Sequence, residues 1–282
     1  MNPKSTKLLS LLSLTIALAV LSTPPSLGIE PDEFPKPVVP NRTTLLSKDE
    51  DRNSKSEKKE DPDIISLKGI KKFYFILDCS KSMDEKLTRD KSGNKLTKFE
   101  RMKELLTKTL KALPADAEVA IRVYGHYGAL DACKATSLIM PFHRLNTPQI
   151  TKVIDRYKPA GLSPLTYALH EAIDKDLKEN SEGKATIILI TDGADTCGLD
   201  PASYMKSRDR KDLILLTVGF INYRSHPDRK KLEAASYYGY GRLFPYSNMD
   251  KYWLLLNQAK KESLKTTKEL KARSKKLNKH KF

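Results

Sequence analysis

The chain has 282 residues, of which 51 are lysine or arginine and 35 are aspartate or glutamate, so its formal net charge is +16. This length allows one large domain or two small ones. The hydrophobic fraction of 39% is modest, which argues against a chain that is packed throughout and indicates that part of it stays outside any core.

The first 28 residues have the order of a secretory signal peptide. Lys4 and Lys7 precede an apolar run at positions 8–21, which is too short to span a membrane comfortably, and Gly28 supplies a small residue near the expected cleavage point. This segment is therefore predicted to direct export, either to the periplasm or to the cell surface and medium. An uncleaved membrane anchor is the alternative.

Residues 29–68 are predicted to form an extended, disordered linker. Four prolines lie between positions 31 and 40, a dense charge run follows at positions 48–63, and few large apolar residues are available for burial. The segment is therefore interpreted as a spacer.

Residues 69–259 have the alternating pattern of an α/β domain. Four short apolar runs, at positions 73–77, 119–124, 186–190 and 213–218, are typical of strands that are buried on both faces. Helical patterns lie between them. This alternation predicts a doubly wound, mostly parallel, Rossmann-like sheet flanked by helices, with residues 136–140 as one antiparallel edge strand.

The helices are predicted from apolar spacing and from their start signals. Apolar side chains recur every three or four residues from Phe99 to Leu113, which predicts one amphipathic helix. Proline after Ser or Thr is a common helix start. Further helices are predicted to open at Thr147-Pro148, Ser163-Pro164, Pro227 and Asn248.

Residues 260–282 are predicted to be a basic tail, either helical or disordered. Ten positive and two negative side chains give the tail a net charge of +8. Weak contact with an anionic membrane surface is one interpretation, and a solvated, frayed helix end is the other. Nucleic acid is not expected as a partner, because the protein is predicted to be exported.

Polar side chains follow two of the predicted core strands. Asp78, Ser80 and Ser82 come directly after the first strand, and Asp192 comes directly after residues 186–190. Ligands bind such sheets at the carboxyl ends of the strands, near the switch in strand order. With Ser163 at a loop-to-helix junction, two carboxylates and three hydroxyls are expected to converge, and such oxygen ligands suit Mg²⁺.

Three segments resemble the von Willebrand factor type A domain family over roughly residues 70 to 255. The segment 78–82 resembles the family's Asp-x-Ser-x-Ser motif, which is the centre of its metal-ion-dependent adhesion site. Asp192-Gly193 resembles the second acidic loop, and the segment 161–165 resembles the intervening loop, where Ser163 replaces the usual threonine. The segments 122–126 and 192–197 look like those of exported bacterial members.

The resemblance implies a role for each candidate ligand. Ser80, Ser82 and Ser163 would bind the metal directly through their hydroxyls, whereas Asp78 and Asp192 would act mostly through bound water. Neutral hydroxyls leave the metal's charge poorly compensated, so it would take an Asp or Glu side chain of a protein partner as its sixth ligand. The resemblance therefore implies binding rather than catalysis, and the chain is predicted not to be an enzyme.

Several alternatives remain open at this point. Ser163 could be only a helix N-cap, Asp192-Gly193 only a turn, and Thr166 is a rival for the role of Ser163. Lys81 could compete with the metal or attract an acidic partner. The competing functions are an Mg²⁺-dependent hydrolase of phosphate esters, and a metal-free structural envelope component that docks through its basic tail.

The chain has three cysteines. Cys133 and Cys197 both follow predicted strands, and in an oxidising compartment they are expected to pair, as related bacterial domains suggest. Cys79 is expected to be buried and free. A bridge between Cys79 and either partner, or no bridge at all, stays open. His126 is interpreted as a structural side chain rather than as a catalytic one.

Overall fold

A computed structural model describes residues 65–87, 95–128, 131–177, 183–221 and 226–279, with side chains up to residue 274. The predicted signal peptide, residues 1–28, lies outside the described residues, as do all but the last few residues of the predicted linker, 29–68. The chain divides into two units, Met1–Asp51 and Arg52–Phe282, and every described residue belongs to the second.

The centre of the fold is a six-stranded sheet in the order β3-β2-β1-β4-β5-β6. Its strands are β1 Lys72–Asp78, β2 Glu118–Tyr124, β3 Thr136–Arg144, β4 Ala185–Thr191, β5 Leu213–Gly219 and β6 Arg242–Pro245. Strand β3 is antiparallel to β2 at one edge, and all other neighbours are parallel. The predicted doubly wound, mostly parallel sheet with one antiparallel edge strand is therefore confirmed.

The helices cover both faces of this sheet. They are α1 Lys98–Ala112, α2 Thr147–Ile154, α3 Leu165–His170, α4 Pro201–Arg208, α5 Pro227–Tyr238 and α6 Asp250–Lys279. Helix α3 continues as a π-helical stretch, Glu171–Asp176. Helix α1 begins with a capping box, in which the Thr97 hydroxyl accepts from the Glu100 backbone N–H and the Glu100 carboxylate accepts from that of Thr97.

The two sheet faces carry two separate cores because successive side chains of a strand point to opposite faces. In β1, Phe73, Phe75 and Leu77 pack with side chains of α1, α2 and α6. Tyr74 and Ile76 pack on the other face with side chains of α3, α4 and α5. Burial on both faces explains why β1 and β4 appear in the sequence as continuous apolar runs.

Helix α4 and strand β6 are two elements that the sequence patterns did not predict. Strand β6 has only four residues, which are too few to show a period. Helix α6 also differs from the predicted organisation, since it runs without a break across the expected boundary at residues 259 and 260. Among the described residues, no helix is both long and apolar enough to cross a membrane.

The strand order determines where in the sheet the candidate site lies. From β1 the chain proceeds to β2 on one side, whereas β4 leads to β5 on the other, so the connections diverge between β1 and β4. A crevice forms at the carboxyl ends of two such strands. Asp78 ends β1 and Thr191 ends β4, which brings Asp192 to this crevice.

Candidate metal centre

Asp78, at the end of β1, is fully buried. Its Oδ1 accepts from the backbone N–H of Ser80 at 2.8 Å, and its Oδ2 accepts from the Thr191 hydroxyl at 2.7 Å. Burial, together with the negative charge of Asp192, raises the pKa of Asp78 to about 6 despite these hydrogen bonds. The carboxyl group is therefore held in place at both oxygens while its charge is poorly solvated.

A chain of hydrogen bonds joins the two serines of the motif to the second carboxylate. The Oγ atoms of Ser80 and Ser82 are 3.1 Å apart, and Ser82 Oγ donates to Asp192 Oδ1 at 2.9 Å. Ser80 is buried, whereas Ser82 is exposed at the mouth of the crevice. The structure thus brings together four of the five candidate ligands, namely Asp78, Ser80, Ser82 and Asp192.

The fifth candidate, Ser163, lies in a loop that is bound to both sides of the crevice. Two residues before it, Gly161 accepts from the backbone N–H of Lys81 at 2.9 Å, so the loop pairs with the motif. The Ser163 backbone N–H donates to the Thr196 hydroxyl at 2.8 Å, and the Thr196 N–H donates to the Ser163 carbonyl at 3.0 Å. The loop of Ser163 therefore bridges the motif and the segment after β4.

The side chain of Ser163 is buried, yet its hydroxyl has no hydrogen-bond partner among the described residues. Most buried polar atoms have a partner, so such an atom requires an explanation. Capping does not supply it, because α3 has no side-chain cap and the residue before it is Pro164. The Thr166 hydroxyl is also buried and has no partner within the described ranges, so it remains a rival for the same role.

Gly125, directly after β2, allows the loops of the crevice to approach one another. Its φ is +70°, and a Cβ there would lie 2.5 Å from the Leu162 carbonyl oxygen and 2.8 Å from the Ser80 backbone N. A side chain at this position would therefore separate the motif from the loop that carries Ser163.

The segment after β4 is organised by Asp195 and by a disulfide. Asp195 Oδ2 accepts from the Thr166 N–H at 2.8 Å, which satisfies a free donor at the start of α3, and its Oδ1 accepts from the Cys197 N–H at 2.7 Å. Cys133 and Cys197 form the bridge that was expected. Cys79 is free and buried, and burial raises the pKa of its thiol.

Lys98, the first residue of α1, lies at the site although nothing in the sequence pointed to it. Its Nζ is 2.7 Å from Asp192 Oδ2 and 2.6 Å from Glu85 Oε2. Burial lowers the pKa of Lys98, but the hydrogen bonds to Asp192 and Glu85 outweigh burial and raise it overall. Because Lys98 and Asp192 are 94 residues apart, only the folded chain reveals their contact.

Two side chains considered from the sequence have other partners. The ammonium group of Lys81 pairs with Asp84 at 3.1 Å and is largely exposed. His126 Nε2 is 3.2 Å from the Ser137 hydroxyl, and the His126 ring packs edge-on against Tyr127 and Tyr157. Burial lowers the pKa of His126. These contacts agree with a structural role for His126.

The five candidate side chains fit a hard divalent cation, because all of them offer oxygen and one buried hydroxyl lacks a partner. In the part of the chain that the structure describes, the candidate site included, no three His, Cys, Asp or Glu side chains are close enough to hold a metal ion. The candidate site therefore depends on serine hydroxyls as well as on its two carboxylates.

Two uncharacterized proteins of Bacillus subtilis (strain 168) are similar to this chain. YwmC is 25% identical over 182 residues, which cover 62% of this chain and 77% of YwmC. YwmD is 31% identical over 146 residues, which cover 46% of this chain and 65% of YwmD.

A solved structure, the von Willebrand factor type A from Catenulispora acidiphila, resembles the fold with a TM-score of 0.52 and 17% sequence identity. The likeness covers 69% of this chain and 42% of the other, so this chain spans less than half of that protein. At this identity the likeness concerns the fold. The model of the von Willebrand factor type A domain matches residues 73–194, so this segment of the chain is similar to that family.

Proposed function

We propose that this protein binds a divalent cation, Mg²⁺, through Asp78, Ser80, Ser82, Ser163 and Asp192, and through it an acidic group of a protein partner. Domains of this family commonly mediate protein–protein interactions. The observation that carries the proposal is the buried hydroxyl of Ser163, which has no hydrogen-bond partner in the described part of the chain and lies in a loop that is hydrogen-bonded to the motif that carries the other serines.

Each side chain has a distinct task in this proposal. The hydroxyls of Ser80, Ser82 and Ser163 bind the cation, and the carboxylates of Asp78 and Asp192 supply negative charge around it. A bound Mg²⁺ would supply a Lewis-acidic position for an acidic ligand. Because Thr191 and the Ser80 N–H already hold Asp78, this carboxyl group stays in place whether or not the cation is bound.

Replacement of Ser163 by alanine tests the metal site most cleanly. Its hydroxyl has no partner to lose among the residues that the structure describes, so we expect Ser163→Ala to unfold near the wild-type temperature in chelator but to lose the Mg²⁺-dependent thermal shift. Thr166→Val, which removes another buried and unpartnered hydroxyl, should keep that shift. The reverse pattern would assign the role to Thr166, and a wild-type protein without any shift would refute the metal site.

The partner is tested separately, by capture from an envelope extract. Immobilised wild-type protein should retain a defined set of proteins in Mg²⁺ and release that set in chelator. Immobilised Ser163→Ala should retain none of these proteins in either buffer. Retention that is equal with Mg²⁺ and chelator would mean that partner binding does not use the metal.

Export is part of the proposal, to the periplasm or to the cell surface and medium. The Cys133–Cys197 bridge supports it, because disulfides persist in oxidising compartments. N-terminal sequencing of the exported protein should show cleavage near Gly28, and a full-length membrane-bound chain would contradict this.

Weak contact of the tail with anionic membranes is also proposed, and deletion of residues 264–282 should then abolish co-sedimentation with anionic vesicles.

Hydrolysis of phosphate esters lacks structural support in the described residues. Its only sequence hint was Lys81 beside Asp78, and the Lys81 ammonium group pairs with Asp84. Asp78 is fully buried with both oxygens hydrogen-bonded, which does not suit a nucleophile. Turnover of a phosphate ester that is lost in Asp78→Asn would overturn the proposal that the protein only binds.

A further inference from the structure

A lysine side chain is built into the candidate site. The side chain of Lys98 is only 15% exposed and that of Asp192 only 4%, so their contact is shielded from water on both sides. The Lys98 ammonium group also contacts Glu85, whose side chain is 67% exposed. Lys98 therefore connects a buried carboxylate to an exposed one.

The positive charge of Lys98 offsets the repulsion between the two carboxylates of the candidate site. Asp78 and Asp192 are neighbours in the crevice, where two carboxylates repel each other, and a nearby positive charge offsets this repulsion. Among the ion pairs of the described residues, Asp192 has Lys98 as its cation. A buried carboxylate without a cation is costly, so Lys98 stabilises the crevice when no metal is bound.

This contact also restricts how a metal can approach. Asp192 Oδ1 accepts from the Ser82 hydroxyl and Oδ2 accepts from Lys98, so both of its oxygens are engaged. A divalent cation at the serine hydroxyls would meet a carboxylate that is already paired, with a positive charge beside it. Lys98 can move away without losing every partner, because Glu85 remains.

We propose that Lys98 is a built-in counter-cation: it pairs with Asp192 in the metal-free protein and competes with the divalent cation for that carboxylate. The second half of this proposal rests on the proposed function. Metal binding then exchanges one cation for another at Asp192, and it shifts the Lys98 ammonium group towards Glu85.

Titration of Mg²⁺ alone into Lys98→Met tests the competition. Loss of the ammonium charge should tighten Mg²⁺ binding about tenfold, or about 1.4 kcal/mol, measured by calorimetry. The matched control is Lys103→Met, which removes the same charge from another residue of α1, whose ammonium group pairs with Asp155 rather than with a candidate ligand, and its affinity should stay within about twofold of wild type. Equal or weaker binding by Lys98→Met would overturn the competition.

A double-mutant cycle in chelator tests the counter-cation without any metal. Lys98→Met should unfold at a lower temperature than wild type, and adding Asp192→Asn should cost little more, because their interaction is already gone. Strictly additive losses would overturn the inference. If no variant responds to Mg²⁺, the proposed function fails, while this cycle still decides whether Lys98 balances the charge of Asp192.

Discussion

Burial and negative charge conflict at Asp78. It is fully buried beside a second carboxylate, and its pKa is raised to about 6, first by burial and then by the charge of Asp192. The family motif identifies this residue from sequence, but the motif does not reveal that burial and Asp192 raise its pKa.

The raised pKa of Asp78 has a defined effect on stability in chelator. Between about pH 4 and pH 6 the folded protein keeps a proton that the unfolded chain has released, so this group makes stability fall as pH rises through the window. The slope approaches about 1.4 kcal/mol per pH unit. The free energy of unfolding, measured in urea between about pH 4 and pH 6, should therefore include a decrease with rising pH in wild type that is missing in Asp78→Asn.

The comparison with Asp78→Asn separates this effect from other groups. Hydrogen bonds from Lys71 and from Arg210 lower the pKa values of Asp116 and Asp212, respectively, and these groups act in the opposite direction in both proteins. Only the difference in stability between wild type and Asp78→Asn, followed across pH, measures the contribution of Asp78. Identical pH profiles for the two proteins would contradict the raised pKa.

The sequence predicted that candidate side chains would lie close together, but it did not predict their surroundings. Asp78, Ser80, Ser82 and Asp192 could be found because strand ends meet at one edge of a parallel sheet. Thr191 and Lys98 could not be found in this way. Their roles depend on side-chain contacts between distant segments, and no spacing in the chain encodes such contacts.

Among the elements, the end of β2 and the loops beside it depend on one glycine. Gly125 has a positive φ, and a side chain there would collide with the backbone of Leu162 and Ser80. We expect Gly125→Ala to destabilise the fold and to weaken Mg²⁺ binding, because it forces apart two loops of the candidate site. Chemical unfolding and Mg²⁺ calorimetry measure the two effects.

Gly69 is the matched control for Gly125. Its φ is +74°, close to the +70° of Gly125, but a Cβ there would meet nothing within 4 Å. Gly69→Ala therefore introduces the same backbone strain, on the order of 1 kcal/mol, without the collision. If both variants lose the same stability and bind Mg²⁺ alike, the close approach of the loops is unimportant.

Among the secondary-structure elements, the sequence predicted the long and regular ones. Continuous apolar runs indicated β1, β2, β4 and β5, because these strands are buried on both faces. Helix α4 was missed although its signal was present, since Asp200 caps it ahead of Pro201 much as Ser or Thr precedes proline elsewhere. Strand β6 could not be predicted, because four residues carry too little pattern.

For the molecule as a whole, helix α6 links the folded domain to the basic tail. Tyr252 and Leu256 are buried in the core, Ser263 donates to Asp116 at 2.8 Å, and residues 264–274 are exposed. The excess of lysine predicted a distinct tail, yet composition could not show that one helix would cross the boundary. The apolar side of its first turns packs in the core, and the same helix continues beyond it.

The metal centre is the claim on which the other functional proposals depend, and anomalous diffraction from crystals soaked in Mn²⁺ tests it directly. One peak should lie about 2.1 Å from the hydroxyls of Ser80, Ser82 and Ser163, with the Lys98 ammonium group withdrawn from Asp192. No peak in the crevice at saturating Mn²⁺, or a peak that does not touch Ser163, would contradict the proposed site.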